Sequence, residues 1–138
     1  MRIIPTNTFL FKCKISNSNL CDFCNRNIET VKHLFWECQH SQHFWSQLKT
    51  FLSEHNINID INYKLICLGK QGGQTKEKLA NFIILSAKYF IFKNKYAKNI
   101  PNFQGFKKFL YNRIEIEKVI AMDKDKLEQH TEKWQAFM

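Results

Sequence analysis

The chain has 138 residues and a formal net charge of +9, with 44% hydrophobic residues but only four glycines and two prolines. This length fits one domain with a modest core. The scarcity of Gly and Pro argues against disorder and against an all-β fold rich in tight turns. A large basic excess attracts polyanions such as nucleic acid or acidic membrane surfaces, and a merely soluble basic surface gives the same count.

The cysteine count indicates a reducing environment. Five cysteines cannot all pair within one chain, and the first residues, Met1 to Asn7, are too short and too polar for a secretory signal. We therefore expect an intracellular location, in the cytoplasm or nucleus, where clustered cysteines more often bind metal. The longest apolar run, residues 79–92, falls short of the roughly 20 residues that a membrane-spanning helix needs, so we expect no membrane partner.

Residues 1–20 are predicted to form an extended or loosely ordered lead-in, because Pro5 disfavours helix at Ile4. Four apolar side chains in this segment are expected to pack on the rest of the chain: Phe9, Leu10, Phe11 and Ile15.

Residues 21–55 carry cysteine and histidine at metal-ligand spacing, Cys21-x2-Cys24-x8-His33-x4-Cys38. Zinc prefers thiolate and imidazole ligands in a tetrahedron, and a Cys-x2-Cys turn places two sulfurs on one side of the ion. Four protein ligands leave no open position, which is the structural type of zinc site and not the catalytic type. The alternative is a set of four buried residues without metal.

The second half of the motif makes a geometric prediction. Thr30 is a candidate cap for a short helix over residues 31–37. On a straight α-helix His33 and Cys38 would diverge by about 140 degrees. Cys38 should therefore lie at or just past the end of that helix, where the chain can bend inward.

Other cysteines and histidines lie nearby in the sequence. His40 and His43 follow the motif, and either is an alternative fourth ligand in place of Cys38. Cys13 and Cys67 are remote from the motif and are expected to be plain core thiols.

Helical periods dominate the rest of the chain. Ser41 is the predicted cap of a helix whose apolar stripe includes Phe44, Trp45, Leu48, Phe51 and Leu52. Residues 56–74 are expected to be a connector, since their alternating first half has no strand to pair with and 69–74 resemble a flexible loop.

Residues 75–138 are predicted to be basic and amphipathic helices. Thr75 would cap a helix over 75–98 with Leu79, Phe82, Ile83, Tyr89 and Phe90 on one face, although other apolar residues require burial on further sides. Pro101 ends this helix and Asn102 caps the next, which either continues to the C-terminus or breaks after Asp123. The predicted fold class is mostly α, a small zinc-stapled helical domain followed by long helices.

The positive charge is concentrated between Gly69 and Arg113, where ten Lys and Arg residues face one acid, Glu77. Lysine is a flexible point charge suited to phosphates more than to base edges. The candidate nucleic-acid contacts are Lys76, Lys88, Lys95, Lys98, Lys107, Lys108 and Arg113.

Catalytic motifs were not found. Gly72-Gly73 lacks the Lys-Ser/Thr of a phosphate-binding loop, and no two aspartates are adjacent as a paired-metal polymerase site would need. We therefore do not expect the chain to be an enzyme.

Several short segments occur together in a recognisable order: Ile4-Pro5-Thr6-Asn7, Leu20-Cys21-Asp22-Phe23-Cys24, the run from Glu29 to Cys38, Phe44-Trp45, the run from Asn81 to Ile91, and Pro101-Asn102-Phe103. They resemble the C-terminal region of non-LTR retrotransposon reverse transcriptases of the long-interspersed-element type. The resemblance covers roughly residues 3–110 and implies Cys21, Cys24, His33 and Cys38 as Zn²⁺ ligands.

The resemblance implies a function by context. The polymerase and endonuclease motifs of such proteins lie outside this chain, so we expect a structural-zinc module that holds template RNA or target DNA through phosphates. The alternatives are a protein-interaction module that docks to the remainder of a reverse transcriptase, or a non-functional remnant.

Overall fold

The described part of the chain is mostly helical. The computed structural model describes residues 6–57, 59–68 and 75–134, and only the backbone of residues 68, 75–78 and 133. Six α-helices occur in these ranges: α1 Asn7–Lys12, α2 Gln39–Glu54, α3 Tyr63–Leu68, α4 Thr75–Ala97, α5 Phe103–Asp123 and α6 Leu127–Trp134. The same ranges contain no strand, only one antiparallel bridge between Leu20 and Ile28, so the predicted mostly α fold is confirmed.

The N-terminal segment differs from the expected lead-in. Within residues 6–20 the chain forms the short helix α1, and its apolar side chains remain exposed, Phe9 at 43% and Phe11 at 49%. The buried residues are instead the polar Thr6 and Asn7. The prediction of an extended or loosely ordered chain was therefore wrong for residues 7–12, and the predicted packing was wrong for Phe9, Phe11 and Ile15, whereas Leu10 is partly buried. Polar contacts to the following loop hold α1, and a hydrophobic pattern does not reveal such contacts.

α2 begins before its predicted cap. Cys38, with φ −61° and ψ 135°, is the extended residue at which the chain enters the helix. Ser41 lies inside the first turn, where its buried hydroxyl donates to the carbonyl oxygen of Leu34. The predicted cap was wrong because this hydroxyl is used to tie α2 to the preceding turn.

The apolar stripe of α2 is buried as predicted and forms the centre of the core. Phe44 contacts Trp45, Phe90, Phe103 and Phe106, with ring centroids 5.3 to 6.0 Å apart. Offset and edge-to-face contacts at such distances suit aromatic rings. Because these rings belong to α2, α4 and α5, the helix that follows the Cys/His motif shares one cluster of buried side chains with the two long later helices.

The connector and the later helices follow the predicted order, with one addition. Residues 57 and 59–62 form no strand, and α3, which was not predicted, follows them and packs on α4. Asn102 caps α5 as predicted, because its Oδ1 accepts the N–H groups of Gln104 and Gly105. α5 ends at Asp123, and α6 is a separate helix.

α4 is buried on more than one side, as its apolar residues required. Ile84 and Ile91 are buried together with Ile83 and Phe90, while Tyr89, which was placed on the buried face, is 48% exposed. The predicted loop 69–74 and the side chain of Thr75 lie outside what the structure describes. The division of the chain into four segments stays a prediction.

Candidate metal centre and basic surface

The first two cysteines lie in a tight turn closed by backbone hydrogen bonds. The N–H of Cys21 donates to the carbonyl of Asn27 at 2.8 Å, and the N–H of Asn25 donates to the carbonyl of Cys21 at 2.9 Å. Asn25 adopts a positive φ of 54°, which Asn tolerates better than most residues. The N–H of Phe23 points to Sγ of Cys21 at 3.4 Å, so the turn orients this sulfur.

The third member of the motif begins a π-helical turn, His33–Glu37, and the fourth, Cys38, comes directly after it. Residues 31–37 are helical, and Thr30 caps them as predicted, since its hydroxyl accepts the N–H of His33 at 3.0 Å. Cys38 follows directly in extended conformation, which confirms the predicted bend at this residue. The wider turn brings residues five apart closer to one face than an α-helix would.

The four side chains converge. Their ligand atoms, from Cys21, Cys24, His33 and Cys38, all lie within 4.8 Å of one another. Sγ of Cys21 and Sγ of Cys38 are 3.9 Å apart, and Sγ of Cys24 is 3.4 Å from Nε2 of His33. A tetrahedral zinc with ordinary bond lengths would place two sulfurs about 3.8 Å apart and a sulfur and a nitrogen about 3.6 Å apart. The arrangement therefore fits a Cys₃His zinc site.

The cluster is enclosed. Cys21 and Cys38 are fully buried and His33 is 6% exposed, while Cys24 is partly exposed. The hydrogen bond that Cys21 donates to Cys38, together with burial, raises the pKa of the Cys21 thiol. The same hydrogen bond lowers the pKa of Cys38, although burial opposes this effect. A bound zinc ion would take the place of the proton that Cys21 donates to Cys38.

The alternative metal ligands that the sequence offered lie outside this group of four side chains. Among the described residues, the group that can hold a metal does not include His40 or His43. His43 is exposed on α2, and Cys13 is exposed in the turn after α1, so Cys13 is not the core thiol that the sequence predicted. Cys67 is partly buried.

The N-terminal third of the chain matches a known family. Residues 1–45 match the model of the family described as zinc-binding in reverse transcriptase. This segment is therefore similar to the zinc-binding regions of reverse transcriptases. The match contains all four residues of the motif and no catalytic domain. No curated protein and no solved structure gave a match to the chain.

One predicted nucleic-acid contact has a different role. Lys95 is 3% exposed, and its Nζ lies 2.7 Å from Oδ2 of Asp22 and 2.8 Å from Oε1 of Glu29. Burial acts to lower the pKa of Lys95, but the hydrogen bonds to the two carboxylates outweigh it and raise the pKa above its usual value. The prediction that Lys95 contacts phosphate was wrong, because the helical wheel cannot show that a partner 73 residues earlier in the chain covers this face.

The other predicted basic contacts are more accessible. Lys98 and Lys108 are exposed, and Lys88, Lys107 and Arg113 are partly exposed. The side chain of Lys76 lies outside what the structure describes. These residues do not share one face: Lys107 lies over the rings of Phe51 and Phe103, whereas Arg113 lies over Phe82 and Phe109.

Lys93 is a further accessible cation beside aromatic rings, and it was not among the predicted contacts. Lys93 is exposed, and its Nζ lies 5.7 Å from the ring centroid of Tyr89 and 5.6 Å from that of Phe109. Arg113 lies 5.5 Å from the same Phe109 ring. The four-residue spacing of Tyr89 and Lys93 on one helix was the available signal.

No helix among the described residues is long and apolar enough to cross a membrane.

Proposed function

We propose that the chain is a structural-zinc, nucleic-acid-binding module and forms the C-terminal part of a protein like the non-LTR retrotransposon reverse transcriptases. Zinc would be held by Cys21, Cys24, His33 and Cys38. The observation that carries this proposal is the convergence of these four donors inside a segment that matches a reverse transcriptase zinc-binding family. Four protein ligands leave no position for substrate, so the ion would stabilise the fold and not take part in catalysis.

The accessible basic side chains support the nucleic-acid part of the proposal. Lys93 is exposed on α4, Lys98 directly after the end of α4, and Lys108 on α5. All three lie between Gly69 and Arg113, where basic residues outnumber acidic ones ten to one. Exposed lysines suit phosphate contacts that hold a strand without reading its sequence. RNA and DNA share this phosphate chemistry, so the proposal covers either.

Metal analysis of ligand variants tests the zinc part. The purified chain should retain one zinc ion, and Cys24→Ser should lose it and lose the order of residues 20–40. Structural zinc contributes on the order of 10 kcal/mol to the folding of small modules. Cys13→Ser is the matched control, because Cys13 is exposed and lies outside the cluster. Full zinc occupancy in a Cys21/Cys24 double variant would contradict the proposal.

A second function, docking to the remainder of a reverse transcriptase, is favoured by one surface. α5 exposes the neighbouring apolar side chains of Ile116, Val119 and Ile120, at 50% to 65%. Contiguous exposed apolar residues are typical of protein contacts. A chain that binds zinc but shows no salt-dependent binding to RNA or DNA would favour this second function.

A further inference from the structure

We propose that Lys95 is a positioning residue for the metal centre. Its ammonium group, carried on α4, fixes the turn from Cys21 to Cys24 that presents two of the four ligands. The inference rests on the proposed zinc function and extends it, because Lys95 lies far outside the segment of residues 1–45 that matches the zinc-binding family. The metal centre then depends on a helix from the other half of the chain.

Lys95 makes three polar contacts, all with the N-terminal segment. Its Nζ lies 2.7 Å from Oδ2 of Asp22, 2.8 Å from Oε1 of Glu29 and 3.2 Å from Oδ1 of Asn7. An ammonium group has three donors, and these three acceptors match them. Lys95 is 3% exposed and Glu29 is fully buried, so water screens these contacts little.

The acceptors in turn hold the backbone beside the metal ligands. The N–H of Asp22, the residue after Cys21, donates to Oε2 of Glu29 at 2.9 Å. The side-chain amide of Asn7 donates to the carbonyl of Leu20, the residue before Cys21, at 2.7 Å. The backbone on both sides of this ligand is therefore fixed by groups that contact Lys95.

The charge balance explains why the ammonium matters. Asp22 and Glu29 both approach one cation, and Glu29 has no exposed surface. Removing that cation leaves a buried carboxylate beside a second carboxylate, which destabilises their close approach. Because Glu29 also accepts the N–H of Asp22, its displacement would release the turn that orients Cys21 and Cys24.

Zinc affinity of the full chain, measured by competition with a chelator, tests the inference. Lys95→Met should weaken zinc binding by at least about tenfold, the lower range for residues that orient metal ligands. The control is Lys49→Met, which removes an exposed lysine from α2 and should leave the affinity within about twofold. The cobalt-loaded Lys95→Met protein should also show altered visible absorption, which reports ligand geometry and not only stability.

A double-variant cycle separates positioning from general destabilisation. Because Glu29→Gln and Lys95→Met disrupt the same contact, the double variant should lose less affinity than the two single losses combined. Additive losses would overturn the inference. If Lys95→Met does not fold, the nearly isosteric Asp22→Asn should still weaken zinc binding severalfold, and unchanged affinity there would also overturn it.

The two proposals fail in different ways. A wild-type chain that binds no zinc overturns the proposed function and this inference with it. A wild-type chain that binds zinc no more tightly than Lys95→Met overturns the inference alone.

Discussion

The backbone N–H of Cys38 donates to the carbonyl oxygen of His33, five residues earlier, at an N···O distance of 2.7 Å. This bond defines the π-helical turn, and both side chains lie in the group of four that could hold a metal ion. The spacing of five residues, which an α-helix would separate, is therefore accommodated by a wider turn followed by one extended residue. π-helical turns occur often at functional sites, because they redirect side chains within a helix.

We expect the length of this turn to be essential for metal binding. Insertion of one alanine between Glu37 and Cys38 would shift the hydrogen bond that closes the turn, rotate Cys38 by about 100 degrees and move it about 1.5 Å along the helix axis. The variant should lose its zinc, as measured by metal analysis after gel filtration. Glu37→Ala is the control, because Glu37 is exposed and keeps the spacing unchanged. An insertion variant that retains one zinc ion would show that the turn does not set the ligand geometry.

The aromatic core around Phe44 should dominate the stability of the described fold. Phe44 is 1% exposed and contacts rings from α4 and α5. Phe44→Ala should therefore lower the free energy of unfolding by about 3 to 5 kcal/mol. The same change at Phe11, which is 49% exposed, should cost less than about 0.5 kcal/mol. Urea unfolding followed by circular dichroism measures both, and equal losses would contradict this description of the core.

Local sequence signals predicted the parts of the site that depend on neighbouring residues. The motif spacing, the cap at Thr30 and the bend at Cys38 all involve residues within 17 positions of one another. The role of Lys95 could not be predicted, since its carboxylate partners lie 66 and 73 positions earlier in the chain. α1 was missed for a related reason: Asn7 is anchored by polar contacts to residues 13 and 22 positions away.

Zinc binding should release protons. The raised pKa of Cys21 means that its thiol stays protonated at neutral pH, so a zinc ion must displace that proton. Zinc affinity should consequently fall as pH is lowered and rise as pH is raised. Calorimetric titrations with zinc, in buffers of different ionisation enthalpy, should report at least one proton released per ion bound. A heat of binding that is independent of the buffer would contradict this expectation.

Nucleic-acid binding should depend on salt and on the lysines of the central helices. If about four to six phosphates are neutralised, a plot of log affinity against log salt should have a slope of about −3 to −5. Reversing Lys98 and Lys108, both exposed, to Glu should weaken binding strongly and make the slope shallower by about two. Fluorescence anisotropy with labelled RNA and DNA strands, at several salt concentrations, measures both quantities.

The matched control for that experiment lies between α5 and α6. Lys124 and Lys126 are also exposed, and their reversal to Glu changes the net charge by the same amount. They are flanked by Asp123 and Asp125, so the local field is not strongly positive and their loss should matter less. Equal weakening by the two double reversals would show that binding follows total charge and not this surface. Affinity that ignores salt would contradict phosphate binding altogether, because counterion release must accompany it.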